Sequence, residues 1–264
     1  MKIKIEKLIK LLKHQKRVLV AFSGGVDSTL LLHLAIKILG KENVLAVTAT
    51  SETYSKNELT QAKTLAKKIG AKHIVIKTSE LKNKNFKTNP PKRCFYCKNE
   101  LFGKLKQIAI KNSMTLCDAN NFSDLKDYRP GRLAAKKHNV ISPLEKSGFT
   151  KEDIRKLSKD ENLKNWNTPA QACLASRIPY GTQITKDSLN KVHKAEEALK
   201  KLGFKVVRVR HHGAIARIEV GENEINKLLQ NNIRKNILTV FKKLGWTYIT
   251  IDLNGYHTGS LNIF

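Results

Sequence analysis

One stretch of the sequence, in which an apolar run leads through two glycines into a helix, constrains the fold more than any other. Residues 18–22, Val-Leu-Val-Ala-Phe, are apolar and β-favouring, which predicts a buried strand. Ser23-Gly24-Gly25 predicts a tight turn, because glycine tolerates backbone angles that other residues avoid. Residues 28–39 carry leucine and isoleucine at helical spacing. Such a strand, turn and helix form an anion site, since unpaired N–H groups and the positive end of the helix dipole meet there.

The loop after this strand differs from the nucleotide-binding loop that ends in Gly-Lys-Ser or Gly-Lys-Thr, because no lysine follows its glycines. Asp27 stands there instead, and an acid beside a phosphate site is reasonable if a divalent cation bridges the two. Residues 23–28, Ser-Gly-Gly-Val-Asp-Ser, resemble the pyrophosphate loop of the ATP pyrophosphatases, which cleave ATP between its α and β phosphates. A chance glycine turn is the alternative, and the strand–turn–helix context disfavours it.

Strands and helices alternate through the first half of the chain. The predicted strands cover 17–22, 43–49, 72–77 and 115–118, and the predicted helices cover 28–39, 55–69, 98–112 and 151–161. This alternation predicts an α/β fold, a parallel sheet with helices on both faces. Ligands of such sheets bind beyond the carboxyl ends of the strands, so we expect the loops 23–28, 50–55 and 118–131 to converge. The long polar connection 78–93 is expected to be functional or mobile.

The last part of the chain has a different order of elements. A helix at 185–202 is followed by strands at 204–211 and 214–220, helical segments within 222–244 and a strand at 247–252. This order predicts a smaller α+β domain. We therefore expect an ATP pyrophosphatase domain at 1–167, an interdomain linker at 168–184, and a domain for substrate binding or oligomerisation at 185–264.

The net charge of the chain indicates which kinds of partner it can bind. With 50 basic and 22 acidic residues among 264, the net charge is +28, which favours nucleotides, phosphorylated small molecules or RNA. The lysines are scattered, so a solvated surface and an RNA footprint stay equally open. Residues 1–16 predict an amphipathic helix, not a signal peptide, and no stretch is long and apolar enough to span a membrane. We therefore expect a cytoplasmic location.

Cys94 and Cys97 form a Cys-x-x-Cys pair, which is compatible with zinc, an iron–sulfur cluster or redox cycling. The pair begins a predicted helix, where thiols have lowered pKa values in general. No histidine or second such pair lies nearby to complete a zinc site. Cys173 lies in the predicted linker, and three thiolates can hold a [4Fe–4S] cluster that leaves one iron without a protein ligand. Cys117, on a strand, is expected to be a core residue.

The loop 118–131 carries three acids and Arg129 after a predicted strand; the acids are Asp118, Asp124 and Asp127. Beside a phosphate loop, carboxylates suit magnesium, and an arginine suits the charge that grows on a departing pyrophosphate. The alternative is a polar loop in which Asp and Asn cap turns.

Arg208 and Arg210 alternate with valines on a predicted strand, so both lie on one face and can clamp a phosphate. Solvent-facing alternation is the other interpretation of this pattern. Glu196, on a predicted helix, and Glu219, at the end of a predicted strand, are either metal ligands or surface acids. The sequence slightly favours surface acids.

Taken together, these motifs are similar to those of the LarE family, ATP-dependent sulfur transferases that build the nickel-pincer nucleotide cofactor of lactate racemase. The resemblance covers nearly the whole chain and rests on residues 23–28, 127–131, Trp166-Asn167, Cys173 with 176–181, 207–210 and 215–219. It implies an α/β, parallel-sheet PP-loop ATP pyrophosphatase domain, of the adenine nucleotide alpha hydrolase type, with a smaller C-terminal α+β domain. A homo-oligomer, dimer or hexamer, is also expected.

The resemblance implies that enzymes of this family use Mg-ATP to adenylate a carboxylate of pyridinium-3,5-biscarboxylic acid mononucleotide. Pyrophosphate is released in this step. A sulfur nucleophile then displaces AMP and leaves a thiocarboxylate. Some members sacrifice the sulfur of one cysteine, at the position that resembles Cys173. This chain departs from them by also having Cys94 and Cys97. For members with three such cysteines, the resemblance implies a [4Fe–4S] cluster whose free iron carries an extra sulfide. That sulfide is the sulfur donor and requires a sulfide source.

The motifs and the resemblance together define the expected site residues. The expected catalytic residues are Cys173, Asp27 and Arg129. The expected ATP-binding residues are Ala21, Phe22, Ser23, Gly24, Gly25, Asp27, Ser28, Ala49, Asp127 and Arg129. The substrate phosphate is expected at Ser176, Arg177, Arg208 and Arg210. The metal ligands are expected to be Cys94, Cys97 and Cys173 for the cluster, and Glu196 and Glu219 for a divalent cation. Ala119 and Ser123 replace a glycine and an aspartate of the family pattern, which weakens the case for metal ligation by their loop.

Two other functions fit parts of the sequence. A PP-loop tRNA thiolase would use the same loop, a [4Fe–4S] cluster and the positive surface. Against it, the sequence contains no separate RNA-binding domain and no zinc-binding cysteine pairs, so nucleic acid is not expected, although the charge leaves it open. A non-enzymatic ATP-binding or metal-carrier protein is the third possibility, and it would release no pyrophosphate.

Overall fold

The computed structural model describes residues 1–54, 56–126, 129–169 and 172–257. The chain divides into two compact units, the first formed by residues 1–80 and 92–171 and the second by residues 81–91 and 172–264. The predicted bounds of the two domains and the linker, 1–167, 168–184 and 185–264, stay a prediction. The segment 81–91, which is part of the long connection predicted within the first half of the chain, belongs to the second unit.

The helices and strands follow the predicted alternation closely. In chain order they are α1 (Lys2–Gln15), β1 (Val18–Ala21), α2 (Val26–Leu39), β2 (Val44–Thr50), α3 (Lys56–Ile69), β3 (Lys72–Lys77), α4 (Lys84–Lys87), α5 (Arg93–Lys111), β4 (Thr115–Cys117), α6 (Gly131–Lys137), α7 (Pro143–Lys146), α8 (Lys151–Asp160), α9 (Lys186–Lys201), β5 (Val207–His212), β6 (Ile215–Val220), α10 (Ile225–Leu228), α11 (Asn231–Lys243) and β7 (Tyr248–Ile251). Short 3-10 turns lie at Lys41–Asn43, Glu80–Lys82, Phe122–Lys126, Leu174–Arg177 and Glu222–Glu224.

The first unit contains a four-stranded parallel sheet in the order β3-β2-β1-β4. Val18 of the central strand β1 lies opposite Val44 of β2 and Thr115 of β4. Alternate residues of β1 face two separate cores, since Val18 packs with the core formed by α1, α2 and α8, and Leu19 packs with the core formed by α5 and α6. Because both faces of the sheet are covered by helices, the predicted α/β fold is confirmed.

The second unit contains a three-stranded mixed sheet in the order β5-β6-β7. Strands β5 and β6 are antiparallel, and β7 runs parallel to β6. The helix α9 packs against β5, with Val192, Ala195 and Leu199 buried. The predicted smaller α+β arrangement at the C-terminal end is therefore confirmed.

Asn89 anchors the segment 81–91 within the second unit. Its backbone is left-handed, with φ of 56°, and its side chain is fully buried. The amide Nδ2 donates to the carbonyls of Ile178 (3.2 Å), Pro179 (2.7 Å) and Thr182 (3.1 Å). One side chain thus holds the turn that follows Arg177.

The structure differs from the predicted elements in three respects, the first being that strand β5 begins at Val207 and not at residue 204. Helix α5 begins at Arg93, five residues before the predicted start, so Cys94 and Cys97 lie on the helix itself. The short helices α4, α6 and α7 were not predicted, since none is long enough to show an apolar period. None of the helices in the described ranges is both long and apolar enough to cross a membrane.

Candidate functional site: the phosphate loop and its surroundings

The phosphate loop, residues 22–25, joins β1 to α2 at the carboxyl edge of the sheet. Gly24 has φ of +76°, in the left-handed region that side chains disfavour. A Cβ built on Gly24 would lie 3.0 Å from Cα of Ala62, so α3 also leaves no room for one. Gly25 is extended and forms the N-cap of α2. Gly24 is therefore required by both its backbone angle and its close packing, whereas Gly25 has an ordinary backbone angle and room for a side chain.

The hydroxyls of Ser23 and Ser28 hold the loop from within. Their Oγ atoms lie 3.1 Å apart, the Ser28 hydroxyl donates to the Gly25 carbonyl (3.1 Å), and the Gly25 N–H donates to Ser23 Oγ (3.3 Å). Because α2 begins at Val26, the N–H groups of its first turn have no acceptor within the helix. The arrangement is that of an anion site at a helix N-terminus, as the motif predicts.

Asp27 lies in the first turn of α2 and contacts the loop that follows β4. Its Oδ2 accepts a hydrogen bond from Asn121 Nδ2 at 3.0 Å. Burial raises the pKa of the Asp27 carboxyl, while the Asn121 hydrogen bond and the positive charges of Lys151 and Arg129 act in the opposite direction. The structure thus brings the predicted acid of the phosphate loop to the 118–131 loop.

The acids of that loop have partners within it. Asp124 forms an ion pair with Arg129 (2.8 Å) and accepts a hydrogen bond from the Asn121 N–H (3.1 Å). The Arg129 side chain is 41% exposed. Asp118 accepts hydrogen bonds from Ser142 (2.6 Å) and Asn120 (2.7 Å), and burial raises its pKa. Asp118 and Asp124 therefore stabilise the loop. Asp127 lies outside the described residues.

The residues present suit a magnesium ion that arrives with a nucleotide. Mg²⁺ commonly takes one or two carboxylates plus substrate phosphates and waters, so a cage of protein ligands is not needed. In the described ranges there is no group of three or more His, Cys, Asp or Glu side chains that could hold a metal ion. Asp27 fits as a single ligand, because it is a half-buried carboxylate whose hydrogen-bond donor is a neutral amide.

Ala21, Phe22 and Ala49 lie at the carboxyl ends of β1 and β2. The Phe22 ring is buried and packs edge-on against His73, with 5.8 Å between ring centroids. The Phe22 carbonyl accepts from Thr48 Oγ1 at 2.7 Å, and its N–H donates to the Val47 carbonyl. The side chain of Phe22 is thus part of the core, and only the backbone of this residue contributes to the phosphate loop.

The cysteines occupy three kinds of environment. Cys94 is exposed and Cys97 half-buried, one turn apart at the start of α5, where Cys97 Sγ lies 3.9 Å from Oε1 of the buried Glu80. Cys173 is exposed in the second unit, directly before the turn Leu174–Arg177. Cys117 is fully buried and its pKa is raised by burial, which confirms it as a core residue. A cluster held by three cysteines stays a prediction.

In the second unit, four buried charged side chains form what we call the arginine–glutamate cluster: Arg177, Glu196, Arg210 and Glu219. Arg177 donates to both oxygens of Glu196 (2.7 and 3.0 Å), and Arg210 donates to both oxygens of Glu219 (2.8 and 2.6 Å). Bidentate pairs of this kind are strong and geometrically specific. The expectation that both glutamates are surface acids is wrong, because each neutralises a buried arginine. Cation binding by them stays a prediction.

The cluster also orders the backbone around Cys173. Arg177 Nη1 donates to the carbonyls of Ala172 (2.6 Å) and Cys173 (3.0 Å), and Arg210 Nη1 donates to the Ser176 carbonyl (3.0 Å). Arg210 is buried, so solvent-facing alternation is wrong for that residue. The clamp formed by Ser176, Arg177, Arg208 and Arg210 stays a prediction.

Arg208 lies beside this cluster. Its guanidinium lies 4.8 Å from the centre of the Tyr256 ring. Burial, helped by the charge of Arg177, lowers its pKa. A lowered pKa means that the cationic form is disfavoured where it stands, and a bound anion would offset that cost.

Tyr54 and Asn165 also contact the phosphate loop, and no sequence motif points to either residue. The Tyr54 hydroxyl donates to the Ser23 carbonyl (2.7 Å), and Asn165 Nδ2 donates to the Gly24 carbonyl (3.1 Å). Asn165 comes directly before Trp166-Asn167, a pair singled out only for the family resemblance. No periodicity or spacing marks either residue, because both contacts join segments far apart in the chain.

Comparison with known proteins agrees with this architecture. The sequence model of the NAD synthase family matches residues 3–100. A pyridinium-3,5-bisthiocarboxylic acid mononucleotide synthase of Lactiplantibacillus plantarum is 40% identical over 97% of this chain and 92% of its own. An uncharacterized protein of Synechocystis is 40% identical over 98% of this chain and 97% of its own, and one of Methanocaldococcus jannaschii is 31% identical over 96% and 98%. By its full-length likeness to a synthase of this kind and by its phosphate loop, the chain belongs to the LarE family of PP-loop enzymes.

Proposed function

We propose that this protein is an ATP-dependent sulfur transferase that converts a carboxylate of pyridinium-3,5-biscarboxylic acid mononucleotide into a thiocarboxylate. The observation that carries the proposal is the 40% identity, over nearly the whole of both chains, to a synthase whose name states the bisthiocarboxylic product. The geometry of the phosphate loop supports the use of ATP, because its glycines, serines and helix N-terminus form an anion site.

In the first step, a substrate carboxylate oxygen attacks the α-phosphorus of ATP. A bond from that oxygen to phosphorus forms, and the bond to the β-phosphate oxygen breaks and releases pyrophosphate. The N–H groups of residues 24–28 and the Arg129 guanidinium would stabilise the charge that grows on the departing pyrophosphate. Asp27 would hold the magnesium ion, which supplies further positive charge to the phosphates.

In the second step, a sulfur nucleophile attacks the acyl carbon of the adenylate. The carbon–sulfur bond forms, the carbon–oxygen bond to AMP breaks, and AMP leaves with the oxygen that came from the carboxylate. A carboxylate is a poor electrophile, so the first step is what makes this substitution feasible. Arg177 would act here by fixing the backbone at Cys173. It donates hydrogen bonds to the carbonyl of the preceding residue, Ala172, and to the carbonyl of Cys173 itself.

We further propose that Cys94, Cys97 and Cys173 hold a [4Fe–4S] cluster with an additional sulfide. Thiols one turn apart at a helix N-terminus support thiolate ligation, and exposure of Cys94 and Cys173 makes both accessible. The described ranges contain no group of three ligands arranged for a metal, so we assign no step of the reaction to the cluster.

Product analysis tests the proposed activity. Protein incubated with Mg-ATP, sulfide and the biscarboxylic mononucleotide is expected to release AMP and pyrophosphate in equal amounts. Mass spectrometry should show the substrate heavier by about 16 Da for each oxygen that sulfur replaces. Release of ADP and phosphate, or thiolation of tRNA in place of the mononucleotide, would reject the proposal.

Iron analysis tests the sulfur source separately. Protein purified without oxygen should carry about four irons per chain, and Cys94→Ala should lose them. A colourless protein with stoichiometric zinc would contradict the cluster. If Cys173 is itself the donor, turnover should leave Cys173 lighter by the mass of one H₂S.

A further inference from the structure

Three successive carbonyls of the phosphate loop each accept a hydrogen bond from the protein. Tyr54 Oη donates to the Ser23 carbonyl (2.7 Å) and Asn165 Nδ2 to the Gly24 carbonyl (3.1 Å). The Gly25 carbonyl accepts from the Ser28 hydroxyl (3.1 Å) and the Thr29 N–H (2.9 Å). Ser28 and Thr29 belong to helix α2, which follows the loop, whereas Tyr54 and Asn165 come from other segments of the chain.

Fixing these carbonyls also fixes the N–H groups of the loop. In a trans peptide the C=O of one residue and the N–H of the next point in opposite directions, within one plane. Holding the Ser23 and Gly24 carbonyls toward Tyr54 and Asn165 therefore turns the N–H groups of Gly24 and Gly25 to the opposite side. The Gly25 N–H donates there to Ser23 Oγ at 3.3 Å, a long hydrogen bond that a phosphate oxygen would replace. Without these donors, glycine's freedom would let either peptide rotate.

Burial and a second hydrogen bond hold the Asn165 side chain with its amide nitrogen toward the loop. The residue is 5% exposed, and its Nδ2 also donates to Thr29 Oγ1 on α2 at 3.0 Å. Its Oδ1 is buried and has no hydrogen-bond partner among the described residues. Since the Gly24 carbonyl can only accept, the amide nitrogen must face the loop, and an aspartate would place an acceptor against an acceptor.

Tyr54 supplies the other donor from the loop after β2. Burial raises the pKa of its hydroxyl well above the usual range, so the hydroxyl remains protonated and donates at any working pH. Neither donor is charged, so neither adds a net charge of its own to the anion site.

We propose that Tyr54 and Asn165 are positioning residues, which hold the Ser23 and Gly24 carbonyls outward so that the following N–H groups face the β- and γ-phosphates of ATP. The inference rests on the proposed function, because it takes ATP as the ligand of this loop. It assigns to two otherwise unassigned side chains a selective role: they support binding of the pyrophosphate portion of the nucleotide and not of AMP.

The test compares ligands that share or lack that portion. Dissociation constants of Mg-ATP, Mg-pyrophosphate and AMP are measured by calorimetry for the wild-type chain and for Tyr54→Phe, Asn165→Ala and Asn165→Asp. We expect each variant to bind Mg-ATP and pyrophosphate about tenfold more weakly, the size of one lost hydrogen bond, while AMP affinity changes less than about twofold. Tyr54→Phe removes a single oxygen and keeps the test valid if an Asn165 variant fails to fold.

A matched control separates positioning from a general effect of the substitution. Tyr248→Phe makes the same chemical change as Tyr54→Phe, but on an exposed residue of β7. It should retain the wild-type ratio of ATP to AMP affinity. If the Tyr54 and Asn165 variants lose equal affinity for ATP and AMP, or lose none, the positioning role is overturned. The proposed function would be unaffected by that result. Failure of the wild-type chain to bind ATP or pyrophosphate would overturn the proposed function as well.

Discussion

The phosphate loop and the arginine–glutamate cluster handle charge in opposite ways. The loop directs backbone N–H groups toward one place and contains no cationic side chain between Ser23 and Ser28. The cluster contains two cationic side chains, and each is bonded through two hydrogen bonds to a buried glutamate. An incoming anion therefore meets available donors at the loop, whereas at the cluster it must compete with carboxylates.

Because of this difference, we expect side-chain substitutions to change a different property in each region. At the loop, side chains such as Asn165 orient donors, so their removal should weaken ligand binding more than folding. In the cluster, each charge neutralises another inside the protein, so removal of one partner leaves an uncompensated buried charge. Ligand affinity should report on the first region and stability on the second.

The largest effect is expected for Glu219→Ala in the cluster. Glu219 is fully buried and contacts both Arg210 and Arg217, which would be left without it. We expect a loss of about 3–5 kcal/mol in the free energy of unfolding, measured by urea denaturation. Glu42→Ala is the control, because the Glu42–Lys72 pair is exposed, and it should leave the denaturation midpoint unchanged. Equal midpoints for the two variants would show that burial of the pair is unimportant.

At the loop, Gly24→Ala should reduce the rate of pyrophosphate release about 100-fold. A methyl group would press on Ala62 at 3.0 Å in a backbone region that alanine disfavours, so the loop must move. Gly70→Ala is the matched control, because Gly70 has φ of +75° with nothing within 4 Å. It should lower stability by about 1–2 kcal/mol and leave the rate of pyrophosphate release unchanged. A comparable loss of rate in both variants would assign the effect to general strain.

The smallest effect is expected at the start of α8, where polar groups serve stability alone. Asp153 lies in a capping box with Thr150 and pairs with Lys4. Burial raises the pKa of Asp153, but the hydrogen bonds from Lys4 and Thr150 outweigh it and bring the pKa to about 2, below the ordinary 3.8. The stability it contributes is present above pH 4 and is lost as the pH falls toward 2.

Asp153→Asn should therefore lower the Tm at pH 7, and the difference from wild type should shrink as the pH falls from 4 to 2. The affinity for Mg-ATP should not change, since this capping box serves the helix and contacts none of the phosphate-loop residues. A Tm difference that persists at pH 2 would show that the ionised carboxylate is not what stabilises the helix.

Local patterns were enough to predict most of the fold. The strands β1 to β4 are runs of β-favouring residues between turn signals, and each was placed within about two residues. The phosphate loop was equally visible, because its function lies in the backbone and its glycines mark the backbone directly. Helix α5 was predicted from residue 98, but it begins five residues earlier, at Arg93.

What the sequence did not reveal depends on contacts between distant segments. Asn89 holds residues some 90 positions away, and Asn165 holds Gly24 across 141 positions, without any local signal. The pairing of Arg177 with Glu196 and of Arg210 with Glu219 likewise follows from packing, so the glutamates were assigned to the surface. Side-chain donors that position other groups are the least predictable part of this site.

The most direct test of the central claim, that the phosphate loop activates a carboxylate by adenylation, is substrate-dependent pyrophosphate release. The wild-type chain is mixed with Mg-ATP, with and without the biscarboxylic mononucleotide, and phosphorus-31 NMR identifies the products. We predict pyrophosphate and AMP in equal amounts, only when the mononucleotide is present. Hydrolysis to ADP and phosphate, or pyrophosphate release that ignores the mononucleotide, would contradict the account.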